Sequence, residues 1–192
     1  MPSDENAIKS KIARSAAVIA GLSEQSAEIH RAIAAIRTCL AAGGTLYSAG
    51  NGGSAAEALH LAEELIGKYK NPRRPLRAIC LNADPTALTC IANDFGYDQV
   101  FARQLEGLSR SGDCFVAFST SGNSANIRIA LERARAMKVT TIGLLGKTGG
   151  PCAPLCDHPL IVRADETEHI QEAHQVILHL ILEGVESNPP TH

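Results

Sequence analysis

The sequence has no excess of charge of either sign. Its 18 basic and 20 acidic residues leave a net charge of −2, and the two signs are well mixed. That balance excludes the electrostatic footprint expected of a protein for nucleic acid or for an anionic membrane surface. There is no apolar run near the ~20 residues that span a bilayer. The opening stretch, MPSDENAIKSKIARS, is polar where a signal peptide carries its apolar core. The chain is therefore expected in the cytoplasm. Six cysteines form no CxxC pair. Cys80, Cys90 and Cys114 lie in apolar runs and read as reduced, buried thiols. Cys152 and Cys156 flank APL in a loop, and no second pair completes a zinc pattern with them. There is no repeat, low-complexity segment or linker. The 192 residues are thus read as one domain, 1–192, long enough to bury a core without staples.

What is present is an alternation of periods. Ile8, Ile12, Ala16 and Ile19 form one helical stripe, and Ile29, Ile33, Ile36 and Leu40 another. These two helices occupy about 3–42 and end at Gly43 and Gly44. Outside the alternation that follows, they are candidates for packing against another subunit. From about 45 to 188, short apolar strands (TLYSAG, RAICLN, CFVAFS, TTIGLLG, PLIVR) alternate with helical segments. Ser54 and Glu57 suggest a capping box on a helix reaching Tyr69. Asp84 followed by Pro85 opens a short helix. Further helices are expected over about Tyr97–Leu108, Ser124–Met137 and Thr167–Ser187. Continuous apolar strands joined by helices imply an α/β three-layer sandwich, with a five-stranded parallel sheet covered on both faces.

Ligands of open parallel sheets bind beyond the carboxyl ends of the strands. Four stretches fall there: Asn51–Ser54, Asn82–Asp84, Ser119–Ser124 and Gly146–Gly150. The third, STSGNS, sets hydroxyls between a strand and a helix N-terminus. Backbone N–H groups, the helix dipole and the hydroxyls together suit a phosphate; otherwise Ser121 or Ser124 merely caps the helix. GNGGS is neither a P-loop nor a dinucleotide fingerprint, but its glycines permit close approach to a ligand. In HLAEEL, His60 and Glu64 stand at i, i+4 on one helix face. They can hold a metal, share proton transfer, or form an exposed polar pair. Glu63 is expected to point elsewhere. In HIQEAHQVILHL, His179 lies close to the apolar stripe, while His169 and His174 are expected at the surface.

Taken together, AGNGGSAAEALHLAEEL, IANDFGYDQVFARQ, STSGNSANI and IQEAHQVILHL resemble the sugar isomerase (SIS) domain family. Within it they resemble the sedoheptulose-7-phosphate isomerases, over roughly Ile8–Glu186. The resemblance implies a SIS-type sheet with two additional N-terminal helices. It implies that Ser119, Thr120, Ser121 and Ser124 hold a sugar phosphate, and that Asn51, Gly52, Gly53, Asn93, Asp94, Glu64 and Gln171 line the substrate. His60, Glu64, Gln171 and His179 would match a zinc site, with one ion per active site, and Glu64 and His179 an acid–base pair. Whether Glu64 is base, ligand or both stays open, since a carboxylate bound tightly to zinc is a poorer base. The implied reaction interconverts sedoheptulose 7-phosphate and D-glycero-D-manno-heptose 7-phosphate through an enediol, an early step toward lipopolysaccharide or other surface glycans. The implied assembly is a homotetramer. Lys68 departs from an expected arginine and Glu168 from an expected aspartate. The alternatives are a non-catalytic SIS-fold protein resembling a replication-initiation regulator, or an isomerase or etherase of another phosphosugar.

One point is geometric. Gln171 and His179 are eight residues apart, ~12 Å along a regular helix and about 80° around it. Side chains so placed barely reach one zinc, whose bonds are only ~2.0–2.2 Å. Either the helix is irregular near Gln171, or the ligands come from different chains, with His60 and His179 as the pair to test.

Overall fold

A computed structural model describes residues 4–187; residues 1–3 and 188–192 of the expected 1–192 domain lie outside the described residues. The alternation folds as read. The strands β1 (Leu46–Ala49), β2 (Ala78–Cys80), β3 (Cys114–Ser119), β4 (Thr140–Gly146) and β5 (His158–Val162) form one parallel sheet in the order β2-β1-β3-β4-β5. The helices are α1 (Glu5–Gly21), α2 (Ser26–Ala41), α3 (Gly53–Ile66), α4 (Pro85–Phe95), α5 (Ala102–Leu108), α6 (Ala125–Ala136) and α7 (Thr167–Glu186).

Successive residues of a strand point to opposite faces, and β3 feeds two cores. Cys114, Val116 and Phe118 pack on one side with Leu61 and Leu65 of α3 and Ile177, Leu178 and Ile181 of α7. Phe115 and Ala117 pack on the other with Leu105 of α5 and Ile127, Ala130 and Leu131 of α6. This two-sided burial is why the strands are apolar throughout rather than alternating. Strand order reverses between β1 and β3, so α3 and α6 leave adjacent strands toward opposite faces. The loops heading these two helices border the crevice that this topology opens.

Several expectations are corrected. α2 is not a free N-terminal element: Ile29, Ile36 and Leu40 join the core of its own sheet. Only α1 stays outside. It buries no residue, leaves Ile8 55% and Ile12 63% exposed, and is tied to α7 by Lys11–Glu168 at 2.7 Å. The segment 97–108 is a short 3₁₀ turn (Tyr97–Gln99) followed by α5, not one helix. The capping box does not form. α3 starts at Gly53 with Gly52 as N-cap at φ +58, a conformation that favours glycine, so Ser54 lies inside the first turn. Glu57 instead points inward, 3.9 Å from His174. His174 is fully buried and His169 nearly so, because α7 is covered by α1, α2 and α3 together. Cys90 is exposed on α4, and the other five cysteines are buried and unpaired. Asp84 does cap α4, accepting from the Thr86 and Ala87 amides, with Pro85 at the first helical position. No helix among the described residues is long and apolar enough to cross a membrane.

Candidate active site

The serine-rich loop turns on Gly122 at φ +65, where a Cβ would overlap the Gly149 carbonyl. The loop after β4 is therefore a backing for the serine-rich loop. Ser119 Oγ accepts from the Gly122 amide at 3.1 Å and lies 3.3 Å from Ser124 Oγ. Ser121 Oγ accepts from the Asn123 amide at 3.1 Å. Ser124 sits at the N-cap of α6, yet its hydroxyl makes no capping bond. The bare helix end faces the crevice with no side-chain acceptor, the arrangement that receives an anion.

Across the crevice the GNGG turn is wired in place. Asn82 donates to the Gly50 carbonyl at 2.9 Å and accepts from its amide at 3.1 Å. Asn51 and Asn126 exchange two side-chain bonds of 2.9 Å, and the Tyr97 hydroxyl donates to Asn51 Oδ1 at 3.1 Å. Gln171 packs on Gly53 so closely that any side chain there would overlap its amide. Asn93 and Asp94 lie exposed on the last turn of α4, bonded to each other at 2.7 Å. Lys68 is exposed, and Glu168 is committed to Lys11.

The second cluster lies farther down the groove between α3 and α7. His60 Nε2 is 3.5 Å from Glu64 Oε1, and the His60 and His179 ring centroids are 5.4 Å apart. Burial first, then His60, holds the His179 imidazole below its usual pKa, with Glu64 pulling the other way. His179 Nε2 lies 3.1 Å from Gln175 Nε2, an amide nitrogen that can only donate, so this ring nitrogen is the acceptor of that bond. Glu63 is exposed as expected, but it does not point away: His60, Glu63 and Glu64 each bring a ligand atom within 4.8 Å of the others. The donor set fits a divalent cation. Two bonds of ~2.0–2.1 Å at a tetrahedral angle separate their ligand atoms by ~3.3 Å, close to the His60–Glu64 spacing. Imidazole with carboxylate suits zinc.

Gln171 does not join this cluster within one chain. α7 is regular from Thr167 to Glu186, so the irregular-helix explanation is excluded. Gln171 stays at Gly53, seven residues and ~10 Å before His60 along α3. His60 and His179 are neighbours in the same chain, which removes them as a cross-chain pair. The glutamine that stands between them is Gln175, with Nε2 2.7 Å from His60 Nδ1 and 3.1 Å from His179 Nε2. Tyr69 stacks on the His179 ring at 5.6 Å. Sequence reasoning missed both residues. Gln175 was visible as the residue four before His179, one helical turn away. Tyr69 carried no signal, because the chain leaves α3 before reaching it.

The SIS domain family model matches residues 12–146. The chain belongs to the SIS domain family. A curated relative, the phosphoheptose isomerase of Bradyrhizobium sp., is 45% identical over 186 residues, covering 95% of this chain and 94% of the relative. Among solved structures, a phosphoheptose isomerase from Francisella tularensis superposes with a TM-score of 0.91 at 30% identity, covering 98% of this chain and 100% of that one. That of Neisseria gonorrhoeae gives 0.90 at 34% identity, covering 95% and 98%. The SIS architecture, including the helices before β1, is thus shared over nearly the full length.

Proposed function

We propose that this chain is an aldose–ketose isomerase acting on a seven-carbon sugar phosphate, interconverting sedoheptulose 7-phosphate and D-glycero-D-manno-heptose 7-phosphate. The observation that carries the reading is the meeting of Glu64, His60 and His179 in the groove between α3 and α7, in a chain that also presents a bare helix end behind STSGNS. The relatives named as phosphoheptose isomerases supply the substrate class. The ketose becomes the aldose when one proton moves between C1 and C2 through an enediol, which needs a base at carbon and an acid at oxygen. Glu64 is the base in this reading. His179, held by Gln175 and Tyr69, hands a proton to and from the sugar oxygens. The serine-rich loop and the GNGG turn bind and orient the phosphate end, with Asn93 and Asp94 at the rim. His60 and Glu64, whose ligand atoms already converge, would hold a zinc ion, joined by His179 once its Nε2 is released from Gln175; the ion when bound would supply Lewis-acid polarisation of the substrate oxygen.

The loops and the histidine cluster lie about two helical turns apart along α3. That separation, the uncovered stripe of α1 and the resemblance favour a homotetramer in which one chain's loops face another chain's histidines, with Gln171 then supplied across the boundary. The reaction would run on a cytoplasmic sugar phosphate and feed surface-glycan heptose. The test is direct: incubate the purified protein with sedoheptulose 7-phosphate and look for the aldose, with pentose and hexose phosphates as controls. Turnover of a control in preference to the heptose would replace the substrate. No turnover of any, with zinc present, would remove the isomerase reading.

A further inference from the structure

We propose that Asn126 is a positioning residue that fixes the side-chain amide of Asn51, so that Asn51 meets a bound sugar phosphate as a hydrogen-bond donor. The inference rests on reading the 51–53 turn as substrate-binding. Asn126 is the second residue of α6 and only 3% exposed, so its side chain is not a surface group. Its partner is Asn51, through two bonds of 2.9 Å running in opposite directions.

An amide has one oxygen with two lone pairs and one nitrogen with two hydrogens. Asn51 Oδ1 accepts from Asn126 Nδ2 and from the Tyr97 hydroxyl, which fills it. Asn51 Nδ2 gives one hydrogen to Asn126 Oδ1, which leaves one free. The only group Asn51 has left to offer is therefore an N–H, suited to a phosphate or sugar oxygen. Turning the Asn51 amide alone would set oxygen against oxygen and nitrogen against nitrogen, and of the two arrangements that keep the pair's bonds, the Tyr97 hydroxyl donating to Asn51 Oδ1 selects this one. The backbone of the turn is held separately, by the Ser54 amide donating to the Asn51 carbonyl at 3.1 Å, which leaves the side-chain amide to Asn126 and Tyr97. Asn126 also follows the serine-rich loop directly, so the pair ties together the two loops that border the strand-order reversal.

Two measurements test this. In the ligand-free protein, NMR should find slowly exchanging side-chain amide hydrogens for Asn51 and Asn126, with each of N51A and N126A abolishing protection in the other residue. Fast exchange in the unaltered protein overturns the proposal, whatever the chain catalyses. In steady-state kinetics on sedoheptulose 7-phosphate, N126A should raise KM about tenfold, as loss of such bonds does, with kcat changed much less. In the N51A background, N126A should add nothing. Y97F, at an exposed position, removes the other donor to Asn51 Oδ1 and should raise KM by a smaller factor even if N126A folds poorly. An unchanged KM in a folded N126A protein, or an equal penalty with and without Asn51, overturns the proposal. A wild type that turns over no phosphosugar would instead defeat the isomerase reading and leave the NMR result to decide the amide pair.

Discussion

Glu186→Gln should destabilise the protein strongly and damage a site that Glu186 does not touch. The Glu186 carboxylate lies at the end of α7 with its side chain 3% exposed, paired with Arg73, 5% exposed, at 3.1 Å. It accepts from the amides of Tyr69, Lys70 and Asn71 at 2.8, 2.9 and 3.0 Å. Arg73 in turn donates to the Leu65 and Glu64 carbonyls at 2.8 and 2.6 Å, closing the C-terminus of α3. Removing one partner of a buried pair leaves the other charge uncompensated and costs about 3–5 kcal/mol. For a chain of this size each kcal/mol lowers Tm by ~2–4 °C, so the variant should melt about 6–20 °C lower by calorimetry or circular dichroism. Burial pushes the Glu186 pKa up, but the three amides and Arg73 outweigh it, and the carboxyl sits below its usual value. A depressed carboxylate stabilises fully above its unfolded pKa of ~4.3 and loses that stabilisation as pH falls through the folded value. The gap in Tm between wild type and variant should therefore be flat at neutral pH and narrow below about pH 4. Because the same lock holds Tyr69 against His179 and grips Glu64's backbone, kcat should fall at least ~10-fold at temperatures where the variant is folded, small displacements being costly to catalysis. A variant melting within a degree or two of wild type, with the same pH profile, would refute the reasoning.

The remaining expectations concern the site. Gly122→Ala places a methyl group on the Gly149 carbonyl and within 2.9 Å of the Gly150 amide, at a φ of +65. Backbone must move, and phosphosugar binding should be lost by calorimetric titration while the far-UV spectrum is kept; an unchanged Kd would take the loop out of the binding site. Glu64→Gln cannot accept a proton and should lower kcat ~10²–10⁴-fold in a folded protein, so near-normal kcat would end its role as base. Protein stripped by a strong chelator should lose activity and regain it with zinc, and full activity in metal-free protein would count against the ion. Mixing Gly122→Ala with His179→Ala under subunit exchange should restore part of the activity if loops and histidines of one site come from different chains. No recovery despite proven exchange would assign both to one chain.

The sheet was legible because its signals are local and redundant. Each strand of the alternation is an apolar run between turn residues, and Asp84–Pro85 marks a helix start by itself. Failures came where a side chain answers to tertiary neighbours rather than to its own helix. Ser54 and Glu57 have the spacing of a capping box, but Gly52 takes the cap and Glu57 turns inward to His174. His169 and His174 look polar enough for the surface, yet α7 is covered on more than one side, which its sequence alone does not declare. The residues proposed for acid–base and metal roles divide the same way. His60 and Glu64 are one turn apart, so their meeting follows from helix geometry. Their meeting with His179 depends on the register of α3 against α7, set by buried apolar packing and by the Arg73–Glu186 lock more than a hundred residues apart in the chain. That register also decides which glutamine stands between the imidazoles. A motif match selects Gln171, whereas the helix phase selects Gln175, because only residue 175 lies one turn from His179. The two choices are not rivals if the site is shared between copies. Gln175 then orders the imidazoles within its own chain, and Gln171, fastened beside the GNGG turn, moves with the substrate loops of whichever chain it belongs to.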